Sequence, residues 1–163
     1  MNASLNTSLP KLKNISSGFT LIELMVTIAV IAIIMSIAAP NISTQLANQR
    51  VKSTAATLAN ALKEAKVESV IRRQPLTISF DNTNKVINIQ HIVSGKVDST
   101  VESYRYDVKS TIKSDRSSNE FKPNKVAEVT TYTICDSNSA ASPIKILVSA
   151  TAVISNRSEG TCP

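Results

Sequence analysis

Hydrophobic residues are spread unevenly along this chain of 163 residues. Residues 19–40 hold 17 of them in 22 positions, whereas residues 41–163 hold 46 in 123. Residues 1–18 are polar, rich in Ser and Asn, with Lys11 and Lys13 and no acidic residue. That stretch has neither a helical nor a strand period, so no element is predicted there. Phe19–Ala39 is a continuous apolar run of 21 residues broken by one charge, Glu23. As a helix it would span ~31 Å, about the thickness of a bilayer core. Beyond it, Ile42, Leu46, Val51, Ala55, Leu58, Leu62, Ala65 and Ser69 recur at steps of three to five. This is a helical stripe, and Arg50, Lys52, Lys63, Glu64, Lys66 and Glu68 fall mostly off it. Its small residues suit close packing on a sheet. Pro40 lies between the two stretches and lacks an amide donor, which predicts a kink or an interruption there. Arg72-Arg73-Gln74-Pro75 should end the helix, because the residue before a proline leaves helical geometry. A helix from about 19 to about 73 would be ~80 Å long if straight.

After Pro75 the period changes to two. Leu76–Phe80 predicts a short strand and Asp81–Asn84 a turn. Val86–Val93 alternates, with Ile87, Ile89, His91 and Val93 on one face, and Ser94-Gly95 marks the next turn. Tyr104, Tyr106 and Val108 alternate with Ser103, Arg105 and Asp107. Lys113–Asn124 is polar, contains Pro123 and reads as a loop. Val126–Cys135 predicts a strand. Ile144, Ile146, Val148, Ala150, Ala152 and Ile154 form the cleanest alternation. The fold class expected is α+β: a long N-terminal helix packed on a small antiparallel sheet or sandwich. With no Trp, the core should depend on Ile and Val.

The apolar run admits three readings. A cleaved secretory signal has an apolar region of ~7–15 residues before a small-residue site, and this one is longer, although Ala38-Ala39 imitates such a site. A plain membrane anchor fits the length but leaves Glu23 without a role. An ionisable group in a span is costly and by default marks function, unless it stays solvated at the interface. Two lysines ahead of the run favour keeping the N-terminus cytoplasmic.

Composition narrows the chemistry. Three glycines cannot supply a glycine-rich phosphate or dinucleotide loop. One histidine and two distant cysteines are too few for a zinc site. His91 sits in a strand pattern with no nucleophile motif beside it, so a satisfied sheet residue is expected rather than a general base. Tyr104 and Tyr106 are expected in the core, with base stacking as the alternative. Arg72 and Arg73 complement the helix macrodipole, with phosphate contact as the alternative. No enzyme, cofactor or metal is therefore expected.

Gly18-Phe19-Thr20-Leu21-Ile22-Glu23, followed by the apolar run and Pro40, resembles the class III signal of type IV pilins and type II secretion pseudopilins. Leu58–Thr77 resembles the GspH/FimT-type pattern of minor pilins and pseudopilins, a helix with an alanine-rich basic ending and then a strand opening with a proline. The resemblance covers residues 18–77 and, more loosely, 132–162. It implies that a prepilin peptidase cuts between Gly18 and Phe19 and methylates Phe19. It also implies that Glu23 pairs with the N-terminal amine of a neighbouring subunit and sets the register between subunits. A carboxylate in lipid is expensive, and a neighbour's amine would offset that cost.

On this basis residues 1–18 are a leader, 19–40 a transmembrane and filament-core helix, 41–73 its amphipathic continuation, and 74–163 a β-rich periplasmic or extracellular domain. Cys135 and Cys162 follow the anchor, and in an oxidising periplasm they are expected to pair. The mature chain would be 145 residues. The expected place is the bacterial inner membrane, single pass, then the filament. The implied partners are the peptidase, other minor pilins and the major pilin (or pseudopilins), and the inner-membrane assembly platform. Residues 41–163 carry 16 basic and 11 acidic residues, a modest and scattered excess. Some members of the family are DNA receptors with a Gly-Arg-x-Arg-like element before the last cysteine. Here residues 149–157 carry one basic residue, Arg157, so Arg157 and Lys145 are the DNA contacts left to consider. Counterion release needs several cations. The reading favoured is the FimU-like structural branch, a minor pilin acting in pilus assembly. The alternatives are a type II secretion pseudopilin and a pilus-tip DNA receptor.

Overall fold

The computed structural model describes residues 18–158 and 160–162, without the side chains of 38–41. The leader expected at residues 1–18, Gly18 excepted, therefore lies outside the described residues. The chain divides into two units between Ala38 and Ala39. One helix, α1 (Leu21–Arg72), is assigned without interruption, so Pro40 does not end it. In the first unit every described residue from Gly18 to Ile37 is exposed. The hydroxyls in this apolar stretch are satisfied inside the helix. Thr27 donates to the Leu24 carbonyl at 2.8 Å and Ser36 to the Ile33 carbonyl at 2.7 Å. Internal satisfaction is what a helix in hydrocarbon requires. Within α1, neither Leu21–Ile37 nor Ile42–Arg72 is long and apolar enough to cross a membrane by itself. Leu21–Ile37 and Ile42–Arg72 taken together are, by length and composition.

In the second unit α1 buries Ala47, Val51, Thr54, Ala55, Leu58, Ala59, Ala61, Leu62, Ala65 and Ser69. Ile42 and Leu46, expected on this stripe, are exposed by 51% and 55%, so the buried face begins at Ala47. The helix ends where expected. Arg73 takes φ 55°, and the Gln74 amide donates to the Ser69 carbonyl at 3.2 Å. This is a Schellman ending with arginine in the left-handed position that glycine usually holds.

Among the described residues eight strands follow: β1 (Leu76–Asp81), β2 (Val86–Val93), β3 (Lys96–Arg105), β4 (Ser110–Ser114), β5 (Ser118–Phe121), β6 (Thr130–Asp136), β7 (Ile144–Val148) and β8 (Ile154–Arg157). They form two four-stranded sheets, ordered β3-β2-β1-β5 and β4-β6-β7-β8. Every pairing is antiparallel. The core joins α1 to both sheets through Leu58, Leu62, Ile78, Ile89, Ile134 and Ile146. Phe121 and Tyr132 are the largest side chains buried in it.

Four expectations are corrected. Lys113–Asn124 is not one loop: it holds the end of β4 and all of β5. The sequence there is polar because β5 buries only alternate residues, Asn119 and Phe121. The Val126–Cys135 strand starts only at Thr130. The Ile144–Ile154 alternation is two strands, not one, turned through Ser149–Val153. Ala152 has φ 53°, and its amide donates to the Ser149 carbonyl at 2.9 Å. On β2, Ile87 and Ile89 are buried, but Val93 is 49% exposed. Irregularities at Ile89/Gln90 and His91/Ile92 break the period between them.

Asn82 joins the two sheets. Its Nδ2 donates to the Ile112 carbonyl at 2.8 Å, and its Oδ1 accepts the Ile112 amide at 2.9 Å. A side-chain amide thus stands in for a strand neighbour at β4. Tyr106 donates to the same Oδ1 at 2.8 Å and is buried, as expected of a core tyrosine. Burial pushes its hydroxyl up to about 12.

Candidate functional site

The start of α1 is built by Thr20. Its Oγ1 accepts the Glu23 amide at 3.2 Å, and its carbonyl accepts the Leu24 amide at 3.2 Å. Thr20 is therefore the N-cap and Glu23 the third helical residue, the T-x-x-E spacing of a capping box. A carboxylate in the first turn also faces the positive end of the helix dipole. The Glu23 side chain is exposed and has no hydrogen-bond or ion-pair partner among the described residues. A Cβ on Gly18 would meet nothing within 4 Å. No close approach among the described residues requires glycine at that position.

Three contacts tie the C-terminal strands to α1. Arg50 makes a two-pronged pair with Asp136, Nε and Nη2 each 2.9 Å from a carboxylate oxygen. Asp107 lies 3.8 Å from the same Nε. The Asp136 side chain is fully buried and that of Arg50 23% exposed. The Arg50 hydrogen bond holds the Asp136 carboxyl below its ordinary value, against the opposing effect of burial. Lys66 donates to the Ala152 carbonyl at 2.8 Å, and the Ser142 amide donates to Asn48 Oδ1 at 2.7 Å. Glu64 accepts from the Tyr104 hydroxyl, which ties the other sheet to α1 and pushes that hydroxyl up to about 12. Sequence reading missed Arg50, Asp136 and Glu64. Partners 86 residues apart (Arg50 and Asp136) leave no local signal.

Cys135 and Cys162 form a disulfide with Cα atoms 5.9 Å apart, as expected. Cys135 follows Ile134 on β6 and precedes Asp136, so the bridge and the Arg50 pair hold adjacent residues. Gly160 lets the tail reach it. Its φ is +146°, and a Cβ there would meet Lys145 Cε at 3.1 Å. Here the backbone conformation calls for glycine, while the flexible Lys145 side chain could give way to a Cβ.

Lys145 and Arg157 are brought together, directly opposite each other on β7 and β8. They are two adjacent cations rather than a row. His91 is a strand residue with Nδ1 3.2 Å from Asp98 Oδ2, which agrees with a sheet role. A small cleft lined by Asn48, Lys52, Ser142, Pro143, Ile144 and Ser158 measures about 160 Å³, below the ~300–1,000 Å³ of typical ligand pockets.

A capped, exposed apolar helix is thus followed by a domain in which its continuation packs on two antiparallel sheets, the architecture of a pilin-like fold. Residues 13–39 match the prokaryotic N-terminal methylation motif. The fold is similar to that of the Pseudomonas aeruginosa type IV minor pilin FimU, with TM-score 0.60 and 19% identity over 67% of this chain and 89% of that one. It is also similar to the minor pseudopilin EpsH from the type 2 secretion system of Vibrio cholerae. There the TM-score is 0.56 at 8% identity, over 66% of this chain and 96% of that one. No curated protein matches the chain by sequence. The chain thus has the fold of a type IV pilin-like minor pilin or pseudopilin, carrying a methylation motif at its start.

Proposed function

We propose that this chain is a minor pilin subunit that takes part in type IV pilus assembly, in a priming or tip complex. The observation that carries the reading is the combination of the methylation motif over 13–39 with a FimU-like fold. A prepilin peptidase cuts between Gly18 and Phe19 and methylates Phe19. Cleavage creates an amine at Phe19, and Glu23 pairs with that amine on a neighbouring subunit. The unpaired Glu23 carboxylate in the first turn of α1 supports this role.

The subunit rests in the inner membrane by its hydrophobic helix, with the β-domain in the periplasm, and then moves into the filament. Its partners are the other minor pilins, the major pilin and the assembly platform. A second reading, a minor pseudopilin of a type II secretion system, is supported by the similarity to EpsH. DNA capture has less support, because Lys145 and Arg157 are a single cross-strand pair and phosphate binding needs more cations. Affinity purification of sheared filaments from a strain carrying a tagged chain tests the proposal. Co-purification with pilins, and a mature N-terminus at Phe19 by mass spectrometry, is the expected result. Co-purification with secretion pseudopilins instead selects the second reading, and absence from both filaments removes both.

A further inference from the structure

The strand register gathers three segments at one end of the first sheet. Leu76, at the start of β1, pairs with Phe121, at the end of β5. Thr77 pairs with Gln90, so the β2–β3 turn leaves the sheet at the same end. The end of α1, the β2–β3 turn and the segment after β5 therefore emerge together, although they are far apart in sequence. Each brings an exposed aliphatic side chain: Ile71 (67%), Val97 (54%) and Val126 (42%). Each also brings exposed cations: Arg73, Lys96, and Lys122 with Lys125. Among the described residues the side chains of these four cations make no hydrogen bond or ion pair. The nearby Arg72 is already paired with Glu68, at 2.7 Å.

We infer that this end is a docking surface for another protein subunit, one that presents an apolar patch fringed by carboxylates. Three exposed aliphatic groups and four exposed cations at one sheet end fit that chemistry: the apolar groups would be covered while the charges select the partner. Nucleic acid fits it poorly. Phosphates would leave the aliphatic side chains uncovered, and no aromatic side chain stands among the exposed residues of the three segments to stack a base. The inference deepens the assembly reading and rests on it. It supplies the contact by which the subunit recognises its neighbour outside the membrane helix.

The test uses the full chain in cells that make filaments. A photocrosslinking amino acid is placed at Val97 or Val126, and, as a control, at Val108. Val108 is 74% exposed and precedes Ser110, which pairs with Asp136 at the opposite end of β6 from Thr130. The expected result is an adduct to one protein subunit from 97 and 126 but not from 108, mapped to an acidic segment of that subunit. The triple variant Arg73→Glu, Lys122→Glu, Lys125→Glu should lower the adduct yield about tenfold, and acid-to-lysine changes in the partner should restore it. Absence of free thiols in the triple variant verifies its fold through the Cys135–Cys162 bond. The chain being present in sheared filaments with no adduct, with an adduct to nucleic acid or lipid, or with an adduct indifferent to charge reversal overturns the inference alone. Absence of the unmodified chain from filaments overturns the assembly reading, and this inference with it.

Discussion

Leu21–Ile37 and Ile42–Arg72 lie in one helix but are built for different surroundings. The first exposes Ile, Leu, Val and Met at every described position. The second hides Ala47, Val51, Ala55, Leu58, Ala59, Ala61, Leu62 and Ala65 against two sheets. Bulky aliphatic groups all round a helix need an apolar solvent, whether lipid or other helices. A stripe of alanines with a few leucines needs the opposite, a fixed partner at short distance. Two residue vocabularies thus divide one helix into a part whose side chains are exposed throughout and a part packed inside the domain. The polar groups divide the same way. Thr27 and Ser36 bond back to their own helix, whereas Arg50, Glu64 and Lys66 reach across to strands.

Glu23→Val attacks the exposed part and has the largest expected effect. The chain should still insert and be cleaved but be lost from sheared filaments, as read by immunoblot. Normal incorporation would remove the proposed role of Glu23. Leu62→Ala attacks the packed part. It should cost about 2–5 kcal/mol in domain stability, whereas Ile31→Ala should leave the unfolding of the same domain unchanged. Equal losses for the two would erase the distinction. Reduction of Cys135–Cys162, with its separation of 27 residues, should cost roughly 3.5 kcal/mol, seen as a lower denaturant midpoint.

The Arg50–Asp136 pair gives a pH dependence with a definite sign. Asp136 has a lowered pKa in the folded domain, so its stabilising contribution is complete above the ordinary carboxylate value of about 3.9. That contribution is lost as pH falls through the lowered value. Arg50→Met leaves the buried carboxylate unpaired, so acid unfolding should begin at higher pH than in the unaltered chain. Coincident acid-unfolding curves would show that the pair does not couple α1 to β6. The smallest effect is expected at Ile42→Ala, within about 0.5 kcal/mol of domain stability, because this residue belongs to the exposed part of the rod.

Much of the fold was legible because its signals are local. The end of α1, the turn at Asp81–Asn84 and the limits of β2 follow from proline, turn residues and alternation. Legibility failed where register or long-range contact decided. Ile42 and Leu46 fit the helical period as well as Val51 does, yet the sheets do not reach them. Ser118–Phe121 is too polar to announce a strand, and becomes one because β1 offers it an edge. Ala150 and Ala152 continue an alternation that the turn at Ser149 ends. At the candidate site, the positions of Gly18, Phe19 and Glu23 came from a contiguous motif. Lys145 and Arg157 became one feature only through the β7–β8 register.

By itself the sequence determined where the apolar rod begins, where its helix stops, and that the chain turns to strands after Pro75. These depend on neighbours within a few residues, through hydrogen bonding, proline sterics and side-chain period. The tertiary structure decided which part of the rod is buried, that the strands split into two sheets of four, and that Arg50 finds Asp136. It also decided that Ile71, Val97 and Val126 share one end with four cations that are unpaired among the described residues. Each of these is a meeting of distant segments, fixed by register and packing rather than by any local preference of the chain.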